Sequence, residues 1–337
     1  MRILRFLIKR LLYLIPIMIG LITITFFLMN VIPGNPVRLA IGPQASMETE
    51  ERVRREFGLD RPIWQQYILY FERMLRGDLG NSLVTRRPVV DDLQRRIPAS
   101  VELAIAGMFI GVAGGLILGV LSAVHRDKLI DHASRIAAIS GVSVPAFFLS
   151  LLAQLILGSA LSLFPITGRI SFEIDSPTAI TGLYLLDSLI TGNLAALRSS
   201  AHHLILPAFT LSIPILALTA RLTRSGMLDV LSQDYVMNAR AAAGLPERIA
   251  IYKYALKNAL IATVSQIGLG FGAILSGSVL VETVFDWPGL GLYTVTAAIN
   301  QDIQPIVGTT IVAGLMFVII NILTDLTYRV LDPRIEV

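Results

Sequence analysis

The sequence contains no cysteine and few charged residues. None of its 337 residues is Cys, and only 15% are Asp, Glu, Lys or Arg. The first absence excludes disulfides, thiolate metal sites and cysteine nucleophiles. The second leaves too little polar surface to coat a water-exposed globule, since soluble domains carry about a quarter charged residues. With 54% apolar residues and a mean hydropathy of +0.69, the composition predicts an integral membrane protein.

Signatures of catalysis and phosphate binding are also missing. The chain has no G-x-x-x-x-G-K-[ST] phosphate loop, no H-E-x-x-H and no G-x-S-x-G. Its four histidines are His125, His132 and the adjacent pair His202 and His203, and no other residues converge with them in a ligand pattern. We therefore expect no catalytic residues, no cofactor and no metal on this chain, and no nucleic-acid partner.

Six uncharged apolar stretches are long enough to cross a bilayer as helices. They are Leu11–Ile32, Leu103–Val124, Ile136–Phe164, Leu204–Ala220, Ala259–Val281 and Ile306–Thr324. Pro145 and Pro214 lie inside the third and fourth stretches, so kinks are expected there. The first stretch exceeds the apolar region of a secretory signal, which favours a membrane helix.

Basic residues set the predicted orientation. More than half of the 28 Lys and Arg lie in segments that six spans place on the side of the N-terminus. Because Lys and Arg of short loops collect in the cytoplasm, both termini are predicted to be cytoplasmic. A seventh span at Pro177–Leu197 would reverse this pattern and place Asp187 inside the membrane, so we predict an external loop with a surface helix instead.

The segment Pro33–Pro98 is predicted to be a folded, solvated element outside the membrane. A helix is expected to start at Asp60 and Pro62 and to end at Gly77. One face of this helix is apolar, and it either packs against the membrane helices or helps to seat an external partner. That face comprises Trp64, Tyr67, Ile68, Phe71 and Leu75.

Small residues recur every four positions in two of the predicted spans. Such spacing places a smooth stripe on one helix face and allows close helix approach, either within the chain or between subunits. The stripes are Gly107, Gly111, Gly115 and Gly119 in the second span, and Gly268, Gly272 and Ser276 in the fifth.

The predicted cytoplasmic loop Arg221–Lys257 is too long for a turn and too short for a catalytic domain. Good helix formers precede a Gly244-Leu245-Pro246 break, and helical spacing resumes after it. The pattern predicts two short helices joined by a sharp turn. It suits docking into a groove of a separate protein, and its basic character equally suits anchoring on the anionic inner leaflet.

Seven motifs, in order over nearly the whole chain, resemble those of ABC importer permeases in the dipeptide/oligopeptide/nickel branch. They are Ile32-Pro33-Gly34-Asn35-Pro36, Gly58-Leu59-Asp60-Arg61-Pro62, Gly77-Asp78-Leu79-Gly80, His203-Leu204-Ile205-Leu206-Pro207-Ala208, the loop motif around Gly244, Glu282-Thr283-Val284-Phe285-Asp286-Trp287-Pro288-Gly289-Leu290-Gly291, and Leu331-Asp332-Pro333-Arg334. Within the branch, Pro165–Arg169 and Thr181–Asp187 are most similar to dipeptide permeases of the B-subunit type, including those for D,D-dipeptides.

The resemblance implies an all-α integral membrane fold with six transmembrane helices, a type I ABC importer transmembrane domain with an N-terminal extracytoplasmic insertion. Residues 1–32 would form the N-terminal tail and first span, 33–98 the external element and 99–331 the permease core. The implied ATPase-coupling loop comprises Asp234, Tyr235, Ala239, Arg240, Ala241, Ala242, Ala243, Gly244, Leu245 and Pro246, and the implied extracytoplasmic motif comprises Glu282, Phe285, Trp287, Pro288, Gly289 and Gly291.

The resemblance also implies partners and a location. We expect a second homologous permease, two ABC ATPases that carry ATP and Mg, an extracytoplasmic substrate-binding protein, and membrane lipid. The chain would lie in a bacterial or archaeal plasma (inner) membrane as a multi-pass subunit. Dipeptides or short peptides are the expected substrates, with nickel chelates or glutathione as alternatives in the same family and a gradient-driven secondary transporter as the rival class.

Overall fold

The computed structural model describes residues 2–31, 47–48, 51, 60–243, 246–257, 259, 270–272, 274 and 278–331. Within these residues the chain is mostly helical, with one isolated antiparallel bridge between Asn81 and Pro88. The predicted all-α class is therefore confirmed for the described part of the chain.

The helices are α1 (Arg2–Val31), α2 (Ile63–Leu75), α3 (Val89–Val124), α4 (Leu129–Ser143), α5 (Ala146–Ala153, continued as the π-helix Gln154–Ala160), α6 (Tyr184–Ile190), α7 (Leu194–Leu231), α8 (Asp234–Ala243), α9 (Glu247–Ile249, continued as the π-helix Ala250–Leu256), α10 (Leu290–Ile299) and α11 (Ile303–Leu331). Residues 278–284 are also helical.

Three of these helices are long and apolar enough to cross a membrane, or four if the bent pair α4 and α5 counts as one span. The three are α3, α7 and α11, the last over Ile303–Leu326, whereas the described apolar part of α1, Leu12–Phe27, is shorter. The predicted fifth span, Ala259–Val281, falls largely outside the described residues. Six spans therefore remain a prediction, while a multi-pass membrane protein is established.

The third apolar stretch differs from its prediction. Instead of one kinked helix, it forms α4 and α5, whose axes meet at 104°. Val144 between them is extended (φ −96°, ψ 126°), because a residue that precedes proline is driven out of the helical region. Pro145 then opens α5 and supplies no N–H to continue the ladder of α4. By contrast, α7 continues unbroken through Pro207 and Pro214.

The rejected seventh span is too short to cross a membrane, since α6 has 7 residues. Asp187 on α6 is fully buried, and hydrogen bonds from the backbone and hydroxyl of Thr181 surround it. The structure therefore has a short helix where the sequence predicts one.

The chain divides into two compact units, Met1–Ile97 with Tyr293–Ile319, and Pro98–Leu292 with Ile320–Val337. In the first, α2 lies within the bounds predicted from Pro62 and Gly77 and packs on α1 and α11. The predicted apolar face of α2 is only partly covered. Tyr67 and Phe71 pack into the core, together with Tyr70 and Met74, while Trp64, Ile68 and Leu75 stay exposed.

In the second unit, the glycine stripe of α3 lies against α7. A Cβ on Gly111 would lie 2.9 Å from the Ser212 carbonyl oxygen, and one on Gly119 would lie 2.7 Å from that of Ala220. The contacts repeat every four residues on both helices, which is the spacing of one ridge of side chains. The two backbones therefore approach as closely as residues without a side chain permit. Gly268 of the second predicted stripe lies outside the described residues, and Gly272 lies within them.

A methyl group at the centre of this stripe should destabilise the fold. A Cβ on Gly115 would lie 2.6 Å from Thr219 Cβ and 2.7 Å from the Leu216 carbonyl oxygen, whereas one on Gly20 meets nothing within 4 Å. We expect Gly115→Ala to cost roughly 1–3 kcal/mol through overpacking and to lower the melting temperature of the purified protein. The matched Gly20→Ala variant should melt at or above the wild-type temperature, since Ala favours helix. Equal melting of the two variants would contradict the close packing.

Candidate functional site

The predicted coupling segment forms two helices on either side of the residues at its turn. Asp234 opens α8, Ala239, Arg240, Ala241, Ala242 and Ala243 complete it, and Pro246 precedes α9. Gly244 and Leu245 lie outside the described residues. On α8, Val236 is buried, whereas Tyr235 and Met237 are 48% and 51% exposed. Val236 thus anchors α8, while Tyr235 and Met237 leave large side chains uncovered on its surface.

The π-helix that follows α9 packs onto the ends of α3 and α7. Ile251 and Ala255 enter a buried cluster with Val120, Ala123 and Met227. The π-helix after α9 is therefore in contact with both long helices of the second unit.

A buried carboxylate fixes the neighbouring turn between α3 and α4. Asp131 accepts hydrogen bonds from both Nε and Nη2 of Arg224, each at 2.7 Å, and from the Ser122 hydroxyl at 2.5 Å. The backbone N–H of Asp127 donates a fourth at 3.0 Å. Such a bidentate, charge-assisted pair holds α7 to the start of α4. Sequence reasoning missed this Asp131 cluster, because nothing local links residues 93 positions apart.

A second set of residues, here called the Arg169 cluster, comprises Ser100, Glu102, Arg169, Tyr184, Asp187, Glu282 and Trp287, all of them buried except the half-buried Tyr184. At its centre Arg169 donates to Glu102 through Nε at 3.0 Å and Nη2 at 2.5 Å, and both side chains are 6% exposed. The guanidinium also donates to the Gly182 carbonyl and lies 3.7 Å from the Tyr184 ring centroid. Glu102 accepts a further bond from the N–H of Leu185.

Beside this pair, Asp187 organises the start of its own loop. Its carboxylate accepts from the N–H groups of Ile180, Thr181 and Gly182 and from the Thr181 hydroxyl. Burial acts to raise the pKa of Asp187, but these four donors outweigh it, so the pKa lies below its ordinary value. Gly182 has a φ of +81°, which a side chain would strain.

The predicted extracytoplasmic motif supplies the other half of the cluster. Fully buried Glu282 accepts from the Ser100 hydroxyl and the N–H of Gly291, both at 2.7 Å. Trp287 is also fully buried and donates from Nε1 to the Ala99 carbonyl at 2.8 Å.

The remaining motif residues have distinct surroundings. Phe285 is buried, and its carbonyl accepts from Gly168 at 2.9 Å. Gly289 passes so close to Glu282 and Ser100 that a Cβ could not fit, while Pro288 is exposed. The motif thus binds to Ala99 and Ser100 of α3 and to the loop before α6.

The cluster is suited to fixing loops and not to catalysis. The buried oxygens of Glu102, Asp187 and Glu282 receive donors from within the chain, so none is held ready for a substrate. Among the described residues, no group of three or more His, Asp or Glu could hold a metal ion. Sequence reasoning found the Glu282 motif but missed Ser100, Glu102 and Arg169, for which only the resemblance around Arg169 offered a signal.

Replacing one partner of the Glu102–Arg169 ion pair should destabilise the protein, and replacing the other partner as well should recover part of that loss. Glu102→Gln or Arg169→Gln leaves a buried charge without its partner, at a cost of roughly 3–5 kcal/mol. The double variant leaves no charge, so its loss should be smaller than the sum of the two single losses. Denaturant unfolding of all four proteins measures this coupling. Additive losses would show that the two side chains do not form a coupled buried pair.

Comparison with known proteins identifies the family of the chain. The family model described as "Binding-protein-dependent transport system inner membrane component" matches residues 115–337. A second model, for the N-terminal part of such membrane components, matches residues 3–104.

Curated relatives extend the match over nearly the whole chain. A probable D,D-dipeptide transport system permease protein of Escherichia coli (strain K12) is 42% identical, with 96% of this chain and 94% of the relative covered. A dipeptide transport system permease protein of Alkalihalophilus pseudofirmus is 39% identical, with 97% and 98% covered. A glutathione transport system permease protein of Escherichia coli O6:H1 is 35% identical, with 99% of each covered. The chain therefore belongs to the binding-protein-dependent transport system inner membrane component family, as a dipeptide-type ABC permease, which confirms the resemblance in its motifs.

Proposed function

We propose that this chain is the transmembrane permease subunit of an ATP-driven importer for dipeptides or short peptides. The observation that carries the proposal is α7, a single helix of 38 residues, or about 57 Å. Near its start, Ser199 bonds to the backbone and hydroxyl of Ser171 in the loop that Arg169 anchors. Near its end, Arg224 is bound by Asp131, and α8 follows directly. A movement of the coupling segment would thus be carried along one rigid element to the opposite end of the unit.

The energy source in this proposal lies on other subunits. Two ABC ATPases would bind ATP and Mg and dock on α8 and α9, a second homologous permease would complete the translocation path, and an external binding protein would deliver substrate. This chain would carry no cofactor. The absence of a phosphate loop in the sequence supports that division of labour, as does a family defined by dependence on a binding protein.

The substrate is proposed from the relatives. Those named for D,D-dipeptides and dipeptides are 42% and 39% identical to this chain, and one named for glutathione is 35% identical. Glutathione, itself a peptide, is therefore the first alternative, and a nickel chelate the second. Uptake of a labelled dipeptide, challenged by excess glutathione or nickel chelate, would distinguish them.

Reconstitution with the proposed partners tests the function. The complex in vesicles should take up dipeptide only with ATP on the ATPase side, and external binding protein should raise ATP hydrolysis. The purified chain alone should neither bind nor hydrolyse ATP. Uptake driven by an ion gradient without ATP would instead establish a secondary transporter.

The exposed surface of α8, on which the ATPases are proposed to dock, gives a sharper prediction. Met237 is 51% exposed on α8, so Met237→Glu should leave the fold intact but weaken ATPase association and lower uptake. The matched control is Phe172→Glu, which changes a fully exposed residue in the loop before α6 and should retain the ATPases. Gly244→Val at the predicted turn should likewise reduce uptake, because the added side chain would separate a packed interface. Normal uptake by both Met237→Glu and Gly244→Val would favour membrane anchoring for this loop.

Orientation can be tested independently, because the chain has no native cysteine. We propose that both termini and Arg221–Lys257 face the cytoplasm and that the loop before α6 faces outward, as the distribution of basic residues supports. A cysteine at exposed Phe172 should react with an impermeant maleimide from outside, whereas one at Arg126, whose side chain is 65% exposed, should react only after permeabilisation. The reverse pattern would invert the topology.

A further inference from the structure

Helix α2 is fixed to α1 by one side only. The Tyr67 hydroxyl lies 2.8 Å from Thr23 Oγ1, and the Tyr70 hydroxyl lies 3.0 Å from Thr25 Oγ1. Both tyrosine rings contact Phe26, and the centroids of Tyr67 and Tyr70 lie 5.3 and 5.5 Å, respectively, from the Phe26 centroid. Two hydrogen bonds and an aromatic cluster therefore set the position of α2 along α1.

The depth of this contact follows from the sequence of α1. Thr23 comes thirteen residues after Arg10, the last charge before the apolar run, and thus about 20 Å along the helix at 1.5 Å per residue. The hydrocarbon core of a bilayer is about 30 Å thick. Contact with Thr23 and Thr25 therefore occurs where α1 is still surrounded by the apolar layer, roughly 10 Å from its far boundary.

Helix α2 contacts α11 at a similar depth in the membrane. Ile303, Val307 and Ile311 pack into the cluster with α2, and Ile303 is the first residue of the apolar span of α11. Two membrane helices thus place α2 near one end of their spans, with its inner side at the level of lipid chains.

A second apolar side of α2 is uncovered. Trp64, Ile68 and Leu75, here called the Trp64 ridge, are 60%, 54% and 71% exposed. At 3.6 residues per turn, these three side chains project from α2 within an arc of roughly 40° around the helix axis. Beyond this arc lies a polar sector that includes Glu72 and Arg76, which pair at 2.5 Å and are themselves exposed. The helix therefore has a packed side, a free apolar side and a charged side.

We propose that α2 is an interfacial helix whose Trp64 ridge inserts into lipid at the end of α1 remote from its N-terminus. On α1, Ile24 and Phe27, which flank the residues that contact α2, are likewise 59% and 53% exposed. Helices of this kind bury one face about 5–10 Å into the boundary between headgroups and acyl chains, which matches the depth derived from Thr23. Tryptophan is enriched at that boundary, and Arg76 lies on the side where lipid phosphates would be.

Site-directed spin labelling tests this placement, because any introduced cysteine is unique. The full-length Ile68→Cys and Arg76→Cys variants would be labelled and reconstituted in vesicles of phosphatidylethanolamine and phosphatidylglycerol. At residue 68, collisions with oxygen, which partitions into lipid, should exceed those with a water-soluble nickel chelate. At residue 76 the order should reverse. High nickel accessibility at residue 68 would overturn the proposal in favour of a solvated face, and low accessibility to both reagents would overturn it in favour of a protein partner.

Intrinsic fluorescence provides a second measurement without a cysteine variant. The chain has two tryptophans, and Trp287 is fully buried. Brominated lipids should therefore quench the wild-type protein through Trp64, and the Trp64→Phe protein should lose the quenched fraction. Equal quenching of the two proteins would contradict lipid contact at Trp64. The outcome does not depend on transport, since the chain needs only to be in a bilayer.

Discussion

The close approach of α3 and α7 is the contact on which the second unit depends. Glycines at Gly107, Gly111, Gly115 and Gly119 leave no side chain between the two backbones, so the helices meet at carbonyl and Cβ atoms of α7. The stripe lies between two fixed points. Ser100 and Glu102 precede it on α3 and belong to the Arg169 cluster, while Ser122 follows it and bonds to Asp131. Any change in the spacing of the helices would therefore disturb both ends.

Both clusters use buried carboxylates in the same way. Asp131, Asp187 and Glu282 each accept several hydrogen bonds, which offset the cost of burying a carboxylate. Those to Asp131 and Glu282 include donors distant in the sequence, Arg224 and Ser100, whereas those to Asp187 come from its own loop. Asp131 ties the turn before α4 to α7, and Glu282 ties its motif to α3. These carboxylates therefore serve to fix loops and helices within a member of a permease family.

The first unit is organised by a different interaction, the aromatic and hydroxyl contacts of α2 with α1. Here the sequence pattern was correct about the bounds of the helix but incomplete about its faces. A single apolar face was predicted, whereas the structure divides it between a buried side around Tyr67 and Phe71 and the exposed Trp64 ridge. Hydropathy alone does not separate a residue that packs on protein from one that faces lipid, because both surroundings are apolar.

The sequence by itself determined the class, the membrane location and the family. Apolar runs can be satisfied in hydrocarbon only as helices, and motifs such as that around Glu282 are local strings of residues. The glycine spacing on α3 likewise predicted a close helix contact, but not that α7 would be the partner. Only the tertiary structure decided the 104° turn at Val144 and Pro145, since a proline specifies a break and the packing on each side sets its angle. It alone also paired Glu102 with Arg169 and Asp131 with Arg224, because residues 67 and 93 positions apart meet through the fold and leave no local pattern in the sequence.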